Sequence, residues 1–278
     1  MELYNDAVMN STKPLRVGRL PFLVCAPFFH STLKGLEGFE FQDGVPRFLN
    51  AELQAGRIDC APSSSFEYGL NFESYQLMPG ISTSSRMEMK SVLLLSQLPW
   101  EDLNGQPVTL SPDSATSNVL FQILCEQRFH VLPKFASAND CVAQVYIGDR
   151  ALQESISGHW KFRYDLADVW AKWQGLPFSF GLWIVRREAL AQKPDLVRAF
   201  HAQLLQSLAE FRSDPGKALD VWTAVYPSIL PRPLMLQFYE TADYSFSQDH
   251  VYSLDLFYQL AYEGGFLKSL PKLDFIEM

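Results

Sequence analysis

Residues 106–127, QPVTLSPDSATSNVLFQILCEQ, decide the fold, because they join a buried strand to a helix through a turn dense in hydroxyls. Val108 to Ser111 is short and largely apolar or β-branched, as a fully buried strand should be, and Pro112 stops it. A helix follows, with Asp113 or Ser114 as its cap and Val119, Leu120, Ile123 and Leu124 spaced to form one apolar face. Its first turn presents Ser114, Thr116 and Ser117 beside backbone N–H groups that no helical carbonyl reaches. Free donors at the positive end of a helix dipole suit a carboxylate or a phosphate. A plain capped surface helix is the competing reading, although a cap needs one hydroxyl and this turn has three.

Upstream, Arg16 to Leu20 reads as the first strand and runs into an apolar loop bracketed by Pro21 and Pro27. Phe28 and Phe29 then begin the buried face of a helix or, alternatively, line a cleft. Phe39 to Gln42 is a second strand, Pro46 to Ala55 a helix with Pro in its first turn and Gly56 just past its end, and Ile58 to Ala61 a third strand. Open parallel sheets bind ligands beyond the carboxyl ends of their strands, which makes Ser63, Ser64 and Ser65 candidate binding residues. An ordinary serine-rich turn is the alternative there. Ile81 to Arg86 reads as a third hydroxyl-rich loop, with Ser82 and Ser84 as candidates, before the apolar strand Ser91 to Ser96.

Downstream, Ala143 to Gly148 is a buried strand, and Tyr164, Asp165, Asp168, Trp170 and Trp173 are candidates to line a pocket for an unsaturated ring. Phe178 to Val185 reads as a strand that carries the chain back into the first lobe, and Pro194 to Phe211 as an amphipathic helix packed on the core. A last helix spans about Gln248 to Tyr262 and is closed by Gly264 and Gly265. Pro99 and the Asn104–Gly105 turn place a lobe boundary near residues 97–100. The expected architecture is an α/β, two-lobed fold of the type II periplasmic-binding-protein kind, with a ligand cleft between the lobes. Its first lobe comprises residues 15–97 with 187–278 and its second residues 98–186.

The chain has 278 residues, 47% hydrophobic and 14% aromatic, enough for a packed interior in two lobes. A net charge of −8 with no run of Lys or Arg counts against nucleic-acid and anionic-membrane partners. The N-terminus, with Asn5, Asp6 and Asn10, lacks the apolar core of a signal peptide, so a cytoplasmic location is expected. Cys25, Cys60, Cys125 and Cys141 are widely spaced and read as free thiols. The five histidines are equally scattered, and no metal is expected.

Six blocks, in order along nearly the whole chain, resemble the chorismate dehydratases of the futalosine route to menaquinone. They are RVGRLPFL…APFF at 16–29, GRIDCAPSSSFEY at 56–68, ISTSS…SVLLLS at 81–96, LSPDSATS at 110–117, IGDRAL at 147–152 and YDLADVWAKWQGLPFSFGLW at 164–183. The resemblance implies the two-lobed solute-binding fold and elimination of water from chorismate, giving 3-[(1-carboxyvinyl)oxy]benzoate without a cofactor. It makes Ser114, Thr116 and Ser117 holders of one substrate carboxylate, and Ser63 to Ser65 with Ser82 to Ser84 holders of the other or of the leaving hydroxyl. Two positions depart from the family. Val24 stands where the family has an Asn at the reacting centre, and Asp168 where a Glu is common, as an acid or base or as a helix-terminal carboxylate. The expected partner is a small chorismate-like dicarboxylate, bound by a monomer or homodimer. The alternative is an altered or inactive homologue that binds such a molecule without converting it.

Overall fold

The computed structural model describes residues 13–137 and 140–278, so most of the polar N-terminal segment lies outside it. The chain starts as alternating strands and helices: β1 (Leu15–Arg19), α1 (Ala26–Phe29), β2 (Phe39–Asp43), α2 (Pro46–Gln54), β3 (Cys60–Ser64) and α3 (Ser65–Asn71). β1 pairs in parallel with β2 and β3, so the carboxyl ends of all three point the same way. Pro46 occupies the first turn of α2, and Gly56, at φ +71°, follows its end. That is the asymmetry expected of Pro and Gly at helix ends.

β4 (Tyr75–Ser85) is an eleven-residue strand that includes the stretch expected to be a hydroxyl-rich loop. It lies between two antiparallel neighbours, where the Ser82 and Ser84 hydroxyls find partners within the sheet, and this cross-strand bonding outweighs the turn preference of Ser.

The chain then enters a second sheet through β5 (Val92–Ser96), β6 (Pro107–Thr109), α4 (Ala115–Ile123), β7 (Lys134–Phe135), β8 (Ala143–Ile147), α5 (Gly148–Ser155), β9 (Phe162–Asp165) and α6 (Leu166–Gln174). β5 is apolar from Val92 to Leu95 because both faces are covered. Leu94 joins the main core, while Leu93 and Leu95 pack with Tyr146 and Ala151 on the other side. α6 is capped by the Asp165 carboxylate and ends at Gly175, φ +71°.

β10 (Phe178–Arg186) returns to the first sheet and is followed by α7 (Arg187–Gln192), α8 (Pro194–Ser213), α9 (Pro215–Thr223), α10 (Arg232–Tyr239), β11 (Asp243–Phe246) and α11 (Gln248–Glu263). The first sheet has the order β11-β4-β10-β3-β1-β2 and the second β7-β6-β8-β5-β9. Trp183 on β10 packs against Phe28, Phe29 and Phe200, tying α1 and α8 to the sheet.

The lobe limits differ from those expected. β5 pairs with β8 and β9, and β10 with β3 and β4, so the crossings fall at 86–91 and 166–177. The turn signals at 97–105 mark a bend inside the second lobe, anchored by buried Trp100 against Phe121 and Phe129.

Candidate functional site

A cleft lies between the lobes, lined by residues of both. Its lining includes the apolar residues Phe22, Val24, Met89, Val92, Ile147 and Phe180. It also includes the polar residues Ser63, Ser64, Thr83, Ser91, Asp113, Ser114 and Ser117. None of the described lining residues is Lys, Arg or His. What the cleft has instead is helix ends. α2, α4 and α5 all begin on its wall, at Pro46, Ser114 and Gly148. Their N-termini supply positive potential without a basic side chain.

Local sequence explains this convergence. Ser114 caps α4 by accepting the Ser117 N–H at 3.1 Å and donates its own hydroxyl to Ser117 Oγ at 2.7 Å. The cap is held away from β6 by Asn118, which bonds both the N–H and the carbonyl of Ser111. Gly148 starts α5 at φ +61°, and a Cβ there would meet the Phe22 ring at 3.6 Å. Its N–H donates to the Ser91 carbonyl at 2.7 Å, joining α5 to the strand entry below the cleft.

The expected residues divide sharply. Ser63, Ser64, Ser114, Ser117 and Val24 line the cleft. Thr116 does not. It is fully buried, and its Oγ1 accepts the Phe66 N–H at 3.0 Å while bonding Ser64 Oγ at 2.8 Å and Ser65 Oγ at 3.2 Å. Thr116 and Ser65 therefore clamp the two lobes together rather than face a ligand. Ser82 and Ser84 also point away: they bond each other, and respectively the Ser245 carbonyl and Ser179 Oγ. Strand alternation turns the intervening Thr83 into the cleft instead.

Asp168 lies outside the cleft lining, paired with Lys172 one helical turn on at 2.6 Å. Its neighbours in the expected ring pocket are structural too. Trp170 is buried and donates to Ser253 Oγ, the Tyr164 hydroxyl accepts the Trp100 N–H, Trp173 packs edge-on to Trp170, and Asp165 is a helix cap. Asp113, Thr83, Ser91 and Phe180 were not singled out in advance. For Thr83 a period-2 reading of the ISTSS stretch supplies the missing signal.

Two carboxylates, half-buried Asp149 and buried Asp165, flank the site. Burial pushes Asp149 up to about 6, partly offset by the hydrogen bond it accepts from the Leu23 N–H. Burial likewise pushes Asp165 up to about 6 against several backbone donors, one of them Lys90 N–H in the crossing segment.

Two sheets joined by two crossings, with a cleft between them, define a solute-binding-protein fold. Solved structures agree. A protein from Archaeoglobus fulgidus superposes with a TM-score of 0.72 at 18% identity, covering 92% of this chain and 99% of that one. The alkanesulfonate-binding protein SsuA of Xanthomonas axonopodis pv. citri, bound to MOPS, gives 0.68 at 14% identity over 94% of this chain and 97% of that one. Within that class the chain belongs to the menaquinone biosynthesis family, whose model matches residues 15–263. A chorismate dehydratase from Thermus thermophilus is 28% identical over 252 residues, 82% of this chain and 87% of that protein.

Proposed function

We propose that this protein is a chorismate dehydratase, a lyase that eliminates water from chorismate to give 3-[(1-carboxyvinyl)oxy]benzoate. The observation that carries the reading is the cleft itself: apolar side chains and Ser63, Ser64, Ser114 and Ser117 line one space, and three helix N-termini open onto its wall. A dicarboxylate with an apolar ring matches both kinds of lining, and the family and the Thermus relative support the choice. Aromatisation of the ring drives the elimination, so binding, orientation and proton transfer are the tasks left to the protein. The test is to incubate purified protein with chorismate, following the loss of diene absorbance and the product by mass. Absence of turnover above background at high protein concentration would sink the reading.

One observation favours a second reading. Val24, an apolar residue, lines the cleft at the position where the resemblance puts the family's Asn, so this chain supplies no side-chain amide there. On that reading the cleft binds a chorismate-like dicarboxylate without converting it, and chorismate raises the melting temperature without being consumed.

A further inference from the structure

We propose that the two lobes part along the seam between α5 and residues 22–25, and that Asp149 is the latch that closes the cleft there. The inference goes beyond the dehydratase reading, because any ligand of this cleft has to enter it, whatever reaction follows.

Two seams join the lobes, and they are built differently. On one, α4 packs against α3 and α11. Thr116, fully buried there, accepts the Phe66 N–H at 3.0 Å, the Tyr258 hydroxyl of α11 donates to the Ser65 carbonyl, and the Phe66 ring lies 6.4 Å from that of Phe257. The crossing helix α6 adds Trp170, buried against Phe178 and Phe257, with its Nε1 donating to Ser253 Oγ at 2.9 Å. Parting this seam exposes apolar rings as well as hydrogen bonds, and water offers nothing in exchange for apolar contact.

On the other seam, among the described residues, the polar link between α5 and residues 22–25 is one hydrogen bond, from the Leu23 N–H to the Asp149 carboxylate at 3.0 Å. Phe22 lies over Gly148 beside it. Phe22 and Asp149 are both half-buried, and both line a surface depression that shares Phe22, Asp113 and Ile147 with the cleft. This seam is therefore the mouth. When it parts, water can take over both the carboxylate and the N–H, so the bond is exchanged at small net cost. The latch also sets the wall. Leu23 to Cys25 form one short helical turn, and Val24 and Cys25 line the cleft. Asp149 holds the Leu23 N–H from the second lobe while Tyr239 holds its carbonyl from the first, so closure and the placement of this wall are one event.

Hydrogen exchange resolved to single amides and corrected for intrinsic rates tests the assignment. In the empty parent the Leu23 N–H is expected to exchange about tenfold or more faster than the Phe66 N–H, since it is freed by the opening of one seam alone. Asp149→Ala is expected to speed Leu23 by a further tenfold or so, about the worth of a hydrogen bond to a charged group, and to leave Phe66 within about threefold. Asp149→Asn, which keeps an oxygen acceptor, recovers most of the protection. Chorismate at about ten times its Kd slows Leu23 in the parent about tenfold. A Leu23 amide no faster than Phe66 in the parent overturns the proposal, as does Leu23 exchange unchanged in Asp149→Ala. Equal acceleration of both amides in that variant also overturns it, because Asp149 then supports the whole fold and not one seam. Should the Ala variant not fold, the two amides of the parent decide alone. Chorismate that raises the melting temperature without slowing Leu23 overturns the latch. Chorismate that does neither sinks the dehydratase reading alone, and the empty protein still decides the latch.

Discussion

The carboxylate of Asp149, in the second lobe, accepts a hydrogen bond at 3.0 Å from the backbone N–H of Leu23, in the first. The Leu23 carbonyl is held in turn by the Tyr239 hydroxyl at 2.9 Å. Both peptide groups flanking Leu23, the residue before Val24, are therefore fixed, and one of them is fixed across the lobes. Burial pushes Asp149 up to about 6 from an ordinary 3.8. The folded state therefore takes up a proton between those values. The ionised form is the disfavoured one, so this group's destabilisation is absent below 3.8 and complete above 6. The melting temperature is expected to climb as pH falls from 7 toward 5, and Asp149→Asn to flatten that slope, leaving the share due to Asp165. Equal slopes in parent and variant would contradict this account.

Thr116 is the second link between the lobes, and its loss should be felt as an orphaned donor. Thr116→Val keeps the shape but leaves the buried Phe66 N–H without its 3.0 Å acceptor. An unsatisfied buried donor costs about 1–3 kcal/mol. Urea unfolding is expected to show a loss in that range for Thr116→Val and a much smaller one for Thr116→Ser. Equal stability of the valine variant and the parent would show that the clamp contributes nothing.

Much of this fold was legible because its signals are local. The SATS turn, the Pro46 helix start and the return strand at Phe178 each rest on a few adjacent residues, and the structure has all three. The lobe limits were not local. Whether Val92–Ser96 pairs with β4 or with β8 depends on partners about fifty residues away, and an all-apolar strand fits either sheet. The site was half legible for the same reason. Spacing located the hydroxyl clusters, but which hydroxyls face a ligand depends on the partners across the lobes. Thr116 is taken up by Ser64, Ser65 and Phe66, and Ser84 by Ser179, none of which is adjacent in sequence.

Ser117 separates binding from folding. Its hydroxyl lines the cleft and accepts from Ser114, while the cap itself is made by its backbone N–H. Ser117→Ala should therefore raise KM for chorismate about fivefold to tenfold, the worth of one hydrogen bond, with little change in melting temperature. Ser114→Ala should do both, adding a capping loss of about 0.5–2 kcal/mol. An unchanged KM in both variants would remove this turn from the binding site.

Asp168→Asn supplies the contrasting case. The carboxylate is turned to Lys172 and lies outside the cleft lining. Its removal is expected to leave kcat and KM for chorismate unchanged. A large fall in kcat would mean that α6 moves into the cleft during turnover.

Val24 offers the sharpest test of what the cleft does with its ligand. It is half-buried and lines the cleft, and Val24→Asn introduces an amide there. With chorismate bound, the amide gains the substrate hydroxyl or carboxylate as a partner, so the stabilisation conferred by ligand should be larger in the variant than in the parent. If the parent is a slow dehydratase, the added donor should also raise kcat about tenfold or more, since a preorganised donor at a reacting centre contributes at least that much. Val24→Leu controls for the change in bulk and should do neither. A Val24→Asn protein that gains no extra ligand stabilisation and no turnover would show that this wall contacts an apolar part of the ligand.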